Sequence, residues 1–252
     1  MLFSPSMDCV QWSRPIYPVV LAQGELHVWR GWLDGAATDI DRYSSFLSED
    51  EKARAARFAF PDDRSHFVAG RGLLRDLLGM YLRCAPEKLR FKTGQFGKLS
   101  LADHPKLRFN LSHSYGLVLY AFALERELGI DAEKIRPEFA TEEIAERYFS
   151  VAEQHELRAL PTELRTEAFF LCWTRKEAYV KAHGDGLQIA LESFDVSLTP
   201  GKPETLRSHD SKRWSLQSFT PTPGYAAAIS AEGSPESMRF WDLPARFLTQ
   251  ES

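Results

Sequence analysis

Asp131 and Glu133 stand in the segment LGIDAEKI (128–135) with only Ala132 between them. On an extended strand, alternate side chains leave the same face, so both carboxylates point the same way. Two acids held that close repel unless a lysine, a shared proton or a divalent metal lies between them. An exposed Asp-x-Glu on a strand edge is the ordinary alternative, since acids are mostly solvated. Against it, the apolar Leu128 and Ile130 put the pair at the end of a buried element.

A second stretch, WTRKEAYVK (173–181), sets Trp173, Glu177 and Lys181 at helical positions i, i+4 and i+8, with Phe170 on the same stripe. A solvent-facing Glu-to-Lys pair would be worth only ~0.3–0.5 kcal/mol and would leave the two aromatics unexplained. A stripe passing from core into a cleft accounts for both. If Glu177 joins Asp131 and Glu133, the three carboxylates offer hard oxygen ligands to Mg²⁺, which keeps waters and substrate phosphates in its shell. Lys181, one turn on, can then neutralise a phosphate oxygen as charge develops on a leaving group. Such a site suits a diphosphate.

The elements that must position these groups follow from periodicity and punctuation. LSEDEKARAARFAF (47–60) reads as a helix capped by Ser48, and DDRSHFVAGRGLLRDLLGMYL (62–82) as a longer one. LRFKTGQFGKLSL (89–101) reads as a hairpin turning at Gly94 and Gly97, followed by strands in LRFNLSHS (107–114) and YGLVLYAFAL (115–124). The second half repeats this order loosely. A short strand carries the two acids, and short helices span 140–149 and 150–160, the latter opening with a Ser150/Glu153 capping box. A long helix is expected over 162–183, with Thr162 as its N-cap and Gly184 as its stop. Strands are expected in ESFDVSL (192–198), RWSLQSF (213–219) and GYAAAISA (224–231). SYGLVLYAFA and PGYAAAISA occupy matching places after a long helix and a hairpin, which suggests two related halves with a seam near 124–128.

Composition bounds the function class. A chain of 252 residues with 44% hydrophobic and 26% charged residues has the make-up of a globular protein. A net charge of −4 argues against a general nucleic-acid binder. Within that average, residues 51–98 hold eleven Lys/Arg against five Asp/Glu, and residues 125–167 hold twelve Asp/Glu against six Lys/Arg. Solvated helix faces would explain the split; so would a cleft with phosphate contacts on one wall and metal ligands on the other. No run approaches the roughly 18 apolar residues of a membrane span. MLFSPSMDCV lacks the basic flank and apolar stretch of a secretion signal, so a cytoplasmic protein is expected. Cys9, Cys84 and Cys172, odd in number and far apart, fit a reducing compartment, and no Cys or His cluster has zinc spacing. Cys172 reads as a small buried apolar residue and not as a nucleophile.

GIDAEK (129–134), a gap of about forty residues and then WTRKEAYVK resemble the paired signature of 4'-phosphopantetheinyl transferases of the surfactin-synthetase-activating type. FNLSHS (109–114) and the Gly97-Lys98 pair agree in order and spacing, so the resemblance spans roughly residues 46–200. It implies an α+β fold, a pseudo-dimer of two similar α/β halves with coenzyme A bound between them. Residues 1–125 would form the coenzyme A-binding half and 126–252 the metal-binding and catalytic half. The implied reaction moves phosphopantetheine from coenzyme A to a serine of an apo acyl, aryl or peptidyl carrier protein and releases 3',5'-ADP. By the same resemblance, Asp131, Glu133 and Glu177 bind Mg²⁺. Glu177 also takes the proton of the carrier serine, directly or through water, and Lys181 contacts the diphosphate. Ser112 and His113 fall where the family contacts coenzyme A phosphate, and Arg54 aligns with a basic residue that binds the 3'-phosphate. Lys98, Arg57 and Arg71 are further basic candidates on that wall. Two positions depart from the family pattern: Leu99 stands where proline usually follows Gly-Lys, and Ala132 stands where many members have a bulky residue.

A monomer that binds coenzyme A and carrier proteins, but neither membrane nor nucleic acid, is therefore expected. The amphipathic segment 138–160 is a candidate carrier platform. Two other readings stay open: a non-catalytic module binding coenzyme A or carriers, and another diphosphate-cleaving enzyme, which lacks the support of a P-loop glycine motif.

Overall fold

A computed structural model describes residues 10–36, 39–95, 97–184 and 189–243. Cys9 and Phe96 therefore lie outside the described residues. The chain runs β1 (Glu25–Trp32), α1 (Leu33–Ala36), α2 (Ile40–Phe46), α3 (Glu49–Ala55), α4 (Pro61–Leu82), β2 (Phe91–Thr93), β3 (Leu99–Leu101), β4 (Leu107–Ser114) and β5 (Leu117–Leu124). The second half gives β6 (Leu128–Lys134), α5 (Glu142–Tyr148), α6 (Val151–Ala159), α7 (Thr162–His183), β7 (Asp195–Val196), β8 (Leu206–Arg207), β9 (Trp214–Phe219), β10 (Tyr225–Glu232) and β11 (Ser237–Asp242).

The two halves repeat one topology. In the first, β1 pairs with β5 and β5 with β4; in the second, β6 pairs with β10 and β10 with β9, all antiparallel. Between the first strand and the others lies a 22-residue helix in each case, α4 and α7. β5 and β10, the matched strands of the sequence reading, are the buried central strands of their sheets. The fold is thus α+β, built of two similar halves. β11 runs back to pair in parallel with β1, so a strand from the second half extends the first sheet and the halves interlock.

Three apolar clusters hold the layers. α4 packs Leu73, Leu74 and Leu77 against Trp29, Tyr120 and Phe122 of the first sheet. The inner faces of the two sheets meet through Leu117, Leu119 and Ala121 on one side and Leu128, Ile130, Ala132 and Ile229 on the other. α7 covers the outer face of the second sheet with Phe169, Phe170 and Tyr179. Each fully buried Leu, Ile or Phe contributes about 1.5–3 kcal/mol of transfer free energy.

Local chemistry sets the helix ends. Ser48 and Glu51 make a reciprocal capping box at α3, and Ser150 and Glu153 make another at α6. Gly184 ends α7 in the left-handed region at φ 75°. At the other end of α7 the expectation is corrected: Pro161, not Thr162, is the N-cap, and Thr162 is already helical. The strand expected over 192–198 shrinks to Asp195–Val196, because its only partner there is the two-residue β8.

Candidate active site

Eight residues from three elements line one cavity of about 370 Å³: Leu111, Ser112 and His113 from β4, Asp131 and Glu133 from β6, and Trp173, Glu177 and Lys181 from α7. It adjoins a cavity of about 1080 Å³ that shares Leu111, Trp173, Glu177 and Lys181. The larger cavity extends along Lys98, Phe109 and Ile189 and reaches Arg147 and Tyr148 of α5.

α7 delivers its two charges because the rest of WTRKEAYVK is anchored inside. Arg175 is buried and donates to Ser218 Oγ at 2.7 Å and to the Ser197 carbonyl at 2.6 Å. Lys176, fully buried, pairs with Glu153 at 2.7 Å and donates to the Leu191 and Phe194 carbonyls. Trp173 stacks on Phe169 and meets Phe139 and Tyr148 edge-on. These contacts fix the helix's rotation, and Glu177 and Lys181 are left facing the cavity. Cys172 is fully buried, and burial pushes its thiol well above the ordinary cysteine range, which keeps it out of nucleophilic chemistry.

Lys181 does not pair with Glu177 one turn away; its ammonium lies 2.7 Å from Asp131 Oδ1 across the gap to β6. Burial alone would lower its pKa, but the charge and hydrogen bond of Asp131, with Glu177 and Glu133 behind, raise it above the usual lysine value. Glu177 is raised above the usual carboxylate range, first by burial and then by the like charges of Asp131 and Glu133. Glu133 is raised by burial and by Asp131, against the pull of its hydrogen bond from Ser114. The acids that the two motifs place far apart in sequence thus feel one another directly.

Ser112, expected at a phosphate, donates to Asp131 Oδ1 at 3.0 Å and accepts from Lys181 at 3.2 Å. His113 stands at the exposed rim. Its pKa is held below the ordinary histidine value by desolvation, then by Lys181 and by His66. His66, which no motif marks, lies beside it with Nε2 2.6 Å from Asp34 Oδ1.

The remaining basic candidates lie outside the small cavity. Lys98 lines the larger cavity, but its ammonium donates to Glu127 at 2.8 Å and to the carbonyls of Leu128 and Ala182. Arg71 lies 3.5 Å from Glu51 and over the rings of Phe67 and Phe91. Arg54 stacks on Phe67 and, with Arg57, lines a separate open cavity of about 670 Å³. Sequence reasoning missed Ser114, which donates to Glu133 Oε2 at 2.7 Å. The signal was present: Ser114 follows Ser112 by the same two residues that separate the acids.

Comparison with known proteins places the chain among its relatives. A family model described as 4'-phosphopantetheinyl transferase superfamily matches residues 127–230, and one described as 4'-phosphopantetheinyl transferase, N-terminal, matches residues 32–124. The 4'-phosphopantetheinyl transferase HetI of Nostoc sp. is 41% identical over 226 residues, covering 88% of this chain and 94% of that protein. The 4'-phosphopantetheinyl transferase Sfp of Bacillus subtilis is 32% identical over 192 residues, covering 76% and 84%. A solved holo-(acyl-carrier-protein) synthase from Bacillus anthracis, in complex with CoA (3',5'-ADP), aligns over 43% of this chain and 96% of its own at 23% identity and a TM-score of 0.38. With both halves matched in order, and with relatives 41% and 32% identical along most of their length, the chain belongs to the 4'-phosphopantetheinyl transferase superfamily.

Proposed function

We propose that this protein transfers the 4'-phosphopantetheine group of coenzyme A to a serine of an apo carrier protein, with Mg²⁺, releasing 3',5'-ADP. The observation that carries the reading is the meeting of Asp131, Glu133, Glu177 and Lys181 in one small cavity that opens on a larger one. A diphosphate needs both signs of charge at hand, and the larger space suits the organic body of a coenzyme.

The acids fit a hard cation. Asp131 Oδ2 is buried without a hydrogen-bond partner, whereas Oδ1 is taken by Ser112 and Lys181. Among the described residues no three acid, imidazole or thiol side chains are gathered at metal-binding spacing. Asp131 is compensated by the Lys181 ammonium instead. Asp131, Glu133 and Glu177 would hold Mg²⁺, which when bound supplies charge neutralisation at the diphosphate.

Lys181, its pKa raised, stays an ammonium at neutral pH and binds the diphosphate as a cation. His113, its pKa lowered, is a neutral imidazole that can donate one N–H to a phosphate oxygen. Glu177 takes the proton, directly or through water, as the carrier's serine oxygen attacks the β-phosphorus. The bond from that phosphorus to 3',5'-ADP breaks in the same displacement. Most of the rate comes from positioning and charge neutralisation. In this reading residues 1–125 supply most of the coenzyme A contacts and residues 126–252 the acids. The protein acts as a cytoplasmic monomer, with segment 138–160 as the platform for the carrier.

The test is incubation with coenzyme A, Mg²⁺ and a panel of apo carrier proteins, read by intact mass. One phosphopantetheine added per carrier is expected. No added mass on several unrelated carriers would refute the transferase reading in favour of a binding module.

A further inference from the structure

We propose that Asn110, Ser112 and Ser114 form a side-chain ladder that locks the two halves in register and positions Asp131 and Glu133 for their cation; the proposal rests on the reading of those acids as cation ligands. β6 is an edge strand, paired with β10 on one side only. The N–H groups of Ile130, Ala132 and Lys134 on its other side need partners, since a buried backbone donor left bare is costly. No strand pairs there. Instead β4, the edge of the other sheet, presents three side chains from alternate positions.

Asn110 Oδ1 accepts from Ile130 N at 2.9 Å, Ser112 Oγ from Ala132 N at 3.3 Å, and Ser114 Oγ from Lys134 N at 3.2 Å. Strand side chains recur on one face every second residue, as do the free N–H groups of an edge strand, so the two spacings match. Each serine keeps its own proton to give, and gives it to the acid just before the N–H it accepts from: Ser112 to Asp131 Oδ1 at 3.0 Å, Ser114 to Glu133 Oε2 at 2.7 Å. Ser112 also accepts from Lys181, which fills its one donor and two acceptor positions. Both serines are buried, which limits the competition of water for these bonds.

The ladder divides its labour. Asn110 bonds Ile130 and also lines the larger cavity; towards β6 it contributes register. A slip of one residue would bring Leu111 and His113 to the β6 edge and turn the hydroxyls away. Ser114 contributes register and also aims Glu133. It is a positioning residue in the sense that groups hydrogen-bonded to metal ligands tune metal affinity without touching the metal.

The experiment measures Mn²⁺ binding by electron paramagnetic resonance on the full-length protein, with the metal alone, beside urea unfolding. Mn²⁺ takes the same octahedral oxygen ligands as Mg²⁺. Ser114→Ala is expected to raise the Mn²⁺ Kd about 10- to 100-fold. Ser114→Thr, which keeps the hydroxyl, is expected to restore most of the affinity. Asn110→Ala is expected to lower the urea midpoint and leave the Mn²⁺ Kd as in the parent protein. Parent-like Mn²⁺ affinity in Ser114→Ala would overturn the ladder's positioning role, as would an Asn110→Ala variant that loses as much affinity as Ser114→Ala. A parent protein whose Mn²⁺ binding is unaffected by Asp131→Ala would instead overturn the metal reading, and this proposal with it.

Discussion

Gly129→Ala should separate the two charged walls of the site without touching any of the charges. Gly129 opens β6 against α7, and a methyl group placed on it falls onto the Ala178 carbonyl oxygen and the Ala182 nitrogen, with the Lys181 carbonyl carbon at 2.7 Å. All three are backbone atoms of the helix, so no rotamer change relieves the clash. Ordinary contact for such a carbon begins at 3.4 Å, so strand and helix must part by about 1 Å, a displacement that costs on the order of 10²-fold in rate when it misplaces reacting groups. The same overpacking should cost about 1–3 kcal/mol of stability. Both walls move: Asp131 and Glu133 lie two and four residues beyond the glycine on β6, and Glu177 and Lys181 flank the clash on α7. The assay is carrier-protein modification by intact mass at saturating coenzyme A, beside urea unfolding of the same samples. A variant whose transfer rate stays within a few-fold of the parent, with an unchanged urea midpoint, would refute the claim that direct backbone contact sets the site's width.

Three further outcomes follow from the same geometry. Glu177→Gln should lower transfer by about 10²–10⁴-fold while the urea midpoint holds or rises, because the substitution removes a carboxylate that burial and like charges disfavour; transfer within tenfold of the parent would count against the base. Lys181→Met should cost about 3 kcal/mol in urea unfolding by stranding the buried Asp131, and adding Asp131→Asn should recover most of that loss; an additive double variant would deny the pair. His27, buried beside Tyr81, has its pKa pushed down to about 4 by desolvation. The unfolded chain therefore binds the proton first, so stability is full above pH 6.5 and falls by about 3 kcal/mol as pH drops to 4. His27→Gln should flatten that part of the urea-midpoint profile, and an unchanged acid slope would refute the assignment.

Much of the fold was legible because its signals are local. Ser48 and Ser150 cap their helices through the acid three residues on, and Gly184 stops α7 by accepting a left-handed φ. Those rules need only neighbours in the chain. β1 and β11 carry no comparable signal: Glu25 pairs with Ser237 across almost the whole sequence, and only their long-range pairing in the first sheet makes either segment a strand. At Thr162 the failure is local too. Pro161 takes the cap position, and its carbonyl accepts from Leu164 N at 3.0 Å, so the threonine hydroxyl is not needed.

The site shows where residue types stop being informative. The period-two acids and the period-four stripe of α7 do meet in one cavity, because strand and helix geometry depend on spacing alone. Counter-charges do not. Arg71 and Lys98 read as phosphate ligands from their sign; the structure adds partners the sequence does not show, Glu51 for Arg71 and Glu127 with the end of α7 for Lys98. Lys181 offers the reverse case. Its neighbour along the helix is Glu177, but the fold brings Asp131 within 2.7 Å, and the long-range partner takes the ammonium. Which cation meets which anion is decided by the approach of β6 to α7 and β4, and that approach depends on a glycine and on a row of small polar side chains. The clustered acids announce themselves by charge; the residues hydrogen-bonded beside them are uncharged and small, so they become visible only once the two sheet edges are seen side by side.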